Sequence, residues 1–107
     1  MAQGIRLAIV GATGAVGQEM LKVLAERDFK LKELIVLADP REAGTKIKFR
    51  DETLTVQGAS PEAFKQADVA LFAVDTNISK ALAPMAVENG CVVIDNSYAF
   101  RLEDEVP

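Results

Sequence analysis

Three glycines recur at three-residue intervals in Gly11-Ala12-Thr13-Gly14-Ala15-Val16-Gly17, and they separate two segments of different character. Ahead of them, Ile5, Leu7, Ala8, Ile9 and Val10 form a near-continuous apolar run, the mark of a strand covered on both faces. Behind them, Val16, Met20, Val23 and Leu24 recur at helical spacing and predict one buried stripe on a helix from about Ala15 to Arg27. Strand, glycine turn and helix in that order leave few folds open. Gly11 permits the tight exit from the strand, Gly14 lets backbone approach a ligand, and Gly17 lets the helix pack on the sheet. The helix start offers N–H groups without intrahelical partners and the positive end of a dipole, which suits phosphate. Thr13 adds a hydroxyl. No Gly-Lys-Ser/Thr follows, so the loop is not that of the P-loop nucleotidases. The spacing Gly-x-x-Gly-x-x-Gly also differs from the commoner Gly-x-Gly-x-x-Gly. Its context still reads as a cradle for the pyrophosphate of a dinucleotide, against the plainer alternative of a turn needed only for packing.

The remaining elements extend the same pattern. Glu33 to Ala38 predicts a second strand, closed by Asp39-Pro40. Lys46–Arg50 and Thr53–Gln57 alternate polar and apolar residues and predict a hairpin turning at Asp51-Glu52, with one wet face. Ser60-Pro61-Glu62 is a helix start, with a cap, a proline at the first position and an acid in the first turn. Asp68 to Val74 predicts a third buried strand. Ser79 to Asn89 predicts a helix closed by Gly90, which Pro84 should kink or divide. Cys91 to Ile94 predicts a fourth buried strand, ending at Asp95-Asn96-Ser97. Short buried strands alternating with helices imply an α/β, Rossmann-like, doubly wound parallel sheet with helices on both faces and a small hairpin insertion. Ligands bind such sheets at the carboxyl ends of the strands, here residues 11–17, 38–42, 74–77 and 95–98.

With 107 residues the chain is one domain at most. A net charge of −4 without a basic patch speaks against a general nucleic-acid binder. No apolar run approaches the roughly 20 residues a bilayer requires, and no signal-peptide layout opens the chain, so no membrane partner is expected. Cys91 is the only cysteine and there is no histidine, which disfavours a zinc site and predicts no metal. A lone thiol fits a reducing, cytoplasmic setting. Cys91 opens an apolar strand with no activating base in view, so it reads as structural, and Phe72 and Phe100 read as core.

Asp39 lies close to the usual distance, about 20 residues beyond a glycine loop, of the acid that binds the adenosine ribose. A carboxylate there accepts from the 2′-hydroxyl of NAD and repels the 2′-phosphate of NADP. Arg41 pulls the other way, since a guanidinium pairs well with phosphate, and Glu42 adds a second negative charge. A solvated Asp-Pro turn with a surface arginine is the alternative.

The stretch from Gly11 to Leu21 resembles the start of aspartate-semialdehyde dehydrogenases. So do Leu37-Ala38 with Arg41 and Ala43-Gly44, Ala70-Leu71-Phe72 followed by Ser79-Lys80 and Ala83-Pro84, and Val93-Ile94-Asp95-Asn96-Ser97 with Ala99-Phe100-Arg101. Asp104 to Pro107 resembles the Asp-x-Val-Pro that follows in the family, so the similarity covers essentially the whole chain. The resemblance implies NADPH-dependent reduction of aspartyl phosphate to aspartate semialdehyde, on the route to lysine, methionine and threonine, by an oligomeric enzyme. It implies that Gly11, Thr13, Gly14, Ala15 and Val16 hold the pyrophosphate and that Arg41 faces a 2′-phosphate, so NADP is the family's cofactor. It places Asn96 and Ser97 on the nicotinamide side and Arg101 on the substrate phosphate, where its fork suits a phosphoryl group.

The family's nucleophilic cysteine and its histidine lie beyond residue 107. The chain therefore reads as an N-terminal NAD(P)-binding domain over residues 1–107, incomplete relative to the family and lacking its catalytic and dimerisation domain. No catalytic residue is assigned, and the chain alone is expected to bind cofactor without turnover. Several positions depart from the family pattern. Asp39 and Glu42 replace serines, which keeps NAD open as the cofactor. Ala73-Val74-Asp75-Thr76-Asn77 replaces a Ser-Ala-Gly-Gly-Ser stretch, which puts Asp75 near the pyrophosphate unless it points away. Three alternatives stay open. One is the related N-acetyl-glutamyl-phosphate reductases. Another is the short-chain dehydrogenases, disfavoured because Tyr98 has Leu102 rather than lysine four residues on. The third is an isolated or redesigned nucleotide-binding half-domain without chemistry.

Overall fold

The computed structural model describes residues 4–27 and 30–95. The chain runs β1 (Ile5–Val10), α1 (Ala15–Arg27), β2 (Leu31–Ala38), a 3-10 turn (Pro40–Glu42), β3 (Lys46–Phe49), β4 (Glu52–Thr55), β5 (Gln57–Gly58), α2 (Pro61–Lys65), β6 (Val69–Phe72), α3 (Thr76–Glu88) and β7 (Val92–Asp95). Five strands form one sheet in the order β5-β2-β1-β6-β7, and every adjacent pair in it is parallel. β3 and β4 pair antiparallel as a separate ribbon. The chain thus adopts the expected Rossmann-like architecture. Its direction of winding reverses at β1, which has β2 on one side and β6 on the other, and a crevice opens where the carboxyl ends of such strands diverge.

Alternation along the strands divides the core in two. Ala8, Val10, Ile35, Leu37, Ala70 and Phe72 face α2 and α3, where Phe64 stacks on Phe72 with ring centroids 6.1 Å apart. Leu7, Ile9, Val36 and Ala38 face α1 and the ribbon, against Leu21, Leu24 and Phe49. Residues of both sets are apolar because the interior of the sheet has no wet face.

Several boundaries differ from the sequence reading. The predicted stripe on α1 is turned: Gly17, Leu21 and Leu24 are the buried residues, whereas Val16 and Val23 are 36% and 42% exposed. Gly17 sets this rotation. A β-carbon on it would stand 2.1 Å from the Gly11 carbonyl oxygen, so only the bare glycine face can lie against the loop. The ribbon turns at Arg50-Asp51, since Phe49 pairs with Glu52, and Arg50 takes a left-handed φ of 55°. Beyond it, Gln57-Gly58 leaves the ribbon and joins the main sheet beside β2. α3 begins three residues early, capped by Asp75, and continues through Pro84 without division. β7 is not fully buried, for Val92 and Ile94 are exposed. Ser60 caps α2 as expected, its hydroxyl accepting from the Ala63 amide at 3.2 Å.

Candidate functional site

The glycine loop leaves β1 at the point where the sheet reverses. Gly11 has a φ of +88°, and a β-carbon there would lie 2.6 Å from the Ala73 carbonyl oxygen and from the Val74 side chain. The loop after β1 therefore touches the segment after β6, and only glycine fits between them. The amides of Gly11 and Ala12 both donate to the Leu37 carbonyl, at 2.8 and 3.1 Å, which ties the loop to the end of β2. The Gly14 amide donates to the Gly11 carbonyl at 3.1 Å, and the first α-helical bond runs from the Gln18 amide to the Gly14 carbonyl at 2.9 Å. The amides of Ala15, Val16 and Gly17 precede it and have no acceptor within the helix. The Gln18 side chain donates to the Thr13 carbonyl at 3.0 Å and holds the top of the loop. The result is a cup closed by internal hydrogen bonds that presents the amides of Ala15, Val16 and Gly17 at the positive end of a 13-residue helix, suited to a diphosphate. Gly11, Thr13, Gly14, Ala15 and Val16 all lie in this loop and the first turn of α1.

Asp75, the feared neighbour of that cup, is occupied elsewhere. Its carboxylate accepts from the Ile78 amide at 3.0 Å and caps α3. The signal was present in the sequence as an aspartate three residues ahead of an apolar helical residue.

The end of β2 forms a second feature. Asp39 caps the 3-10 turn and curls over it. Its Oδ1 accepts from the Arg41 amide at 2.9 Å and from Arg41 Nε at 3.1 Å, and Oδ2 lies 3.5 Å from an Arg41 terminal nitrogen. The Arg41 guanidinium holds the Asp39 carboxyl below its usual range, and Asp39 in turn raises Arg41. Pro40 is braced against β5, where a β-carbon on Gly58 would meet its Cα at 3.1 Å. Beside this turn, an open cleft of about 450 Å³ runs between Val10, Ala38, Pro40, Ala59, Ile78 and Leu82. Its walls are mostly apolar, and Asp39 and Asn77 stand at its polar margin.

Cys91 is buried. Its thiol donates to the Phe64 carbonyl at 3.2 Å, and burial pushes its pKa up, away from the thiolate a nucleophile needs. Its structural reading agrees with this placement. Asn96, Ser97, Phe100 and Arg101 lie outside the described residues. Among the described residues, no cluster of His, Cys, Asp and Glu could hold a metal ion, and no helix is long and apolar enough to cross a membrane.

A parallel sheet that reverses at β1, with a glycine cup and an acidic turn at adjoining strand ends, defines a dinucleotide-binding α/β domain. Comparison with known proteins narrows the class. Residues 6–107 match the model of the semialdehyde dehydrogenase NAD-binding domain, and the chain belongs to that family. It is 50% identical to the aspartate-semialdehyde dehydrogenase of Bacillus subtilis (strain 168), over 100% of this chain and 31% of that protein. Among solved structures, it is similar to aspartate semialdehyde dehydrogenase II of Vibrio cholerae complexed with ASA, with a TM-score of 0.83, 45% identity, and coverage of 88% of this chain and 31% of that one. The aspartate semialdehyde dehydrogenase of Candida albicans with NADP is similar at a TM-score of 0.68 and 28% identity, covering 92% of this chain and 31% of that one. The chain thus spans about a third of the length of the relatives it matches, and a nicotinamide dinucleotide is the cofactor class of its domain.

Proposed function

We propose that residues 1–107 are the N-terminal cofactor domain of a cytoplasmic, homo-oligomeric aspartate-semialdehyde dehydrogenase. The reaction is NADPH-dependent reduction of aspartyl phosphate to the semialdehyde, with a second domain supplying the nucleophile and the general base. The observation that carries this reading is the glycine cup at the reversal of the sheet, where Gly11 and Gly17 have no room for a β-carbon. Gly11, Thr13, Gly14, Ala15 and Val16 hold the pyrophosphate there. The apolar cleft beside Pro40 receives the adenine ring, since flat aromatic ligands favour concave apolar walls with a polar rim. Asp39 and Arg41 meet the ribose and its 2′-substituent. Arg41 and the family resemblance favour NADP. The nicotinamide, when bound, supplies or accepts the hydride. Asn96, Ser97 and Arg101 would complete the nicotinamide and substrate-phosphate sides.

Cys91 takes no chemical part, being buried and hydrogen-bonded to a carbonyl. The test is an assay of the natural full-length protein with aspartate semialdehyde, phosphate and NADP, set beside N-acetyl-glutamate semialdehyde. Formation of NADPH with the first substrate, retained in Cys91→Ser, is expected. Turnover confined to the second substrate would reassign the enzyme to the acetylglutamyl-phosphate relatives. Loss of turnover in Cys91→Ser with the fold intact would return that thiol to the mechanism.

A further inference from the structure

The turn after β2 holds two groups with opposite demands on a 2′-phosphate, and the structure joins them to each other. Arg41 offers its Nε edge and one terminal nitrogen to Asp39 rather than to the open cleft, and its amide is taken by the same carboxylate. The pair is on the surface: the Arg41 side chain is 89% exposed and that of Asp39 46%. A phosphate arriving at this turn meets a guanidinium already neutralised, a carboxylate within reach of it, and Glu42 next in the chain. A ribose 2′-hydroxyl meets an acceptor, Asp39, whose remaining lone pairs face solvent.

Resting on the dinucleotide reading above, we propose that Asp39 is a specificity-determining residue that competes with the cofactor 2′-phosphate for Arg41, so that this site prefers NADP over NAD only weakly. NADP binds by drawing Arg41 off Asp39, which leaves the carboxylate close to a dianion. NAD binds with the pair intact. NADP therefore gains less from Arg41 than it would from a guanidinium without a partner. Because Asp39 also caps the turn through the Arg41 amide, its charge and its capping role are separable: asparagine keeps an acceptor for that amide and removes the charge.

The experiment is calorimetric titration of NAD and NADP into the natural full-length protein and into Asp39→Asn, Asp39→Ser and Arg41→Ala. The two dissociation constants of the unsubstituted protein should agree within about tenfold, because one unit charge at contact distance, partly shielded by water, changes affinity by about that factor. Both Asp39 substitutions should move the ratio towards NADP by about tenfold, more at low ionic strength than at high. Arg41→Ala should weaken NADP and leave NAD within a few-fold. If both cofactors bind and the Asp39 substitutions leave their ratio unchanged, the competition does not exist, although the dinucleotide site stands. If only one of the two Asp39 substitutions shifts the ratio, the loss of charge common to both is not responsible, and the proposal falls. If the unsubstituted protein binds neither cofactor, the dinucleotide reading fails and takes this proposal with it.

Discussion

The loop after β1 and the turn after β2 are adjacent in space, since the Gly11 amide bonds to the carbonyl of Leu37, yet they are built from different materials. The loop is made of backbone. Its donors are mostly amides, Gly11 and Gly17 are pressed against other main chain, and the Gln18 side chain is spent on the loop's own Thr13 carbonyl. The turn is made of side chains. The side chains of Asp39 and Arg41 are exposed and pair with each other. The division follows the chemistry of the ligand class. Both nicotinamide dinucleotides share the pyrophosphate and differ at the 2′-position. On the proposed reading the shared part falls to main chain and the differing part to side chains.

The largest expected effect lies in the loop. Gly17→Ala would drive a β-carbon to 2.1 Å from the Gly11 carbonyl oxygen, a main-chain atom that cannot step aside without opening the cup. Forced overpacking of this kind costs about 3 kcal/mol, the upper end of the usual range, because the clash is with main chain. A lowered urea midpoint is expected, together with loss of both cofactors in equal measure. If one cofactor were lost and the other kept, the loop would be selecting between them, and the contrast with the turn would collapse. Gly90 sharpens the point. Its φ is positive, +93°, as that of Gly11 is and that of Gly17 is not, but a β-carbon there meets nothing within 4 Å. Gly90→Ala should therefore cost only the left-handed backbone penalty, about 1 to 2 kcal/mol, and leave cofactor titrations unchanged. An equal loss of stability in the two variants would mean that the crowding at Gly17 costs no more than a left-handed backbone, and that α1 can shift to admit a β-carbon there.

The sequence revealed the loop well and the turn poorly. Glycine spacing after an apolar run reports backbone geometry directly, because the absence of a side chain is itself the structural requirement. The same clue was underused in α1. Val16, Met20 and Val23 have a convincing helical period, yet the helix is oriented by Gly17, whose requirement for contact outranks the burial of two valines. β5 escaped notice because two residues carry no periodicity, and its place beside β2 depends on the hydrogen bonds of Leu37 and Ala38. At the turn, charge counting set two acids against one arginine. What decides the matter is that Pro40 starts a 3-10 turn and brings the Arg41 amide and guanidinium back onto Asp39, a local geometry that composition does not encode.

The smallest expected effect separates two Asp–Arg pairs that look alike. At the other end of β1 from the glycine loop, Asp68 accepts from the Arg6 amide at 3.0 Å and from its guanidinium at 2.8 Å, clasping β1 to the start of β6 across 62 positions. Arg6, chiefly through the side-chain hydrogen bond and then the backbone one, lowers the Asp68 pKa to about 2. Arg41 lowers Asp39 by the same means, but those two residues are only 2 positions apart. A carboxyl whose folded pKa lies below its unfolded value adds stability that is complete above the unfolded value, about 3.9, and is lost as pH falls towards the folded one. That linkage requires the pair to be absent from the unfolded chain. Arg6 and Asp68 separate fully on unfolding, whereas neighbours two residues apart keep part of their contact, so the Asp39 pair contributes little to the pH dependence. Asp68→Asn should thus flatten the fall of stability between about pH 4 and pH 2, and Asp39→Asn should leave it nearly as it is. Urea unfolding at a series of acidic pH values measures both. Because both pairs are exposed, the difference will be modest and will shrink with added salt. If Asp39→Asn flattened the curve as much as Asp68→Asn, the turn would be part of the cooperative fold, and its side chains would not be free to choose a cofactor independently of it.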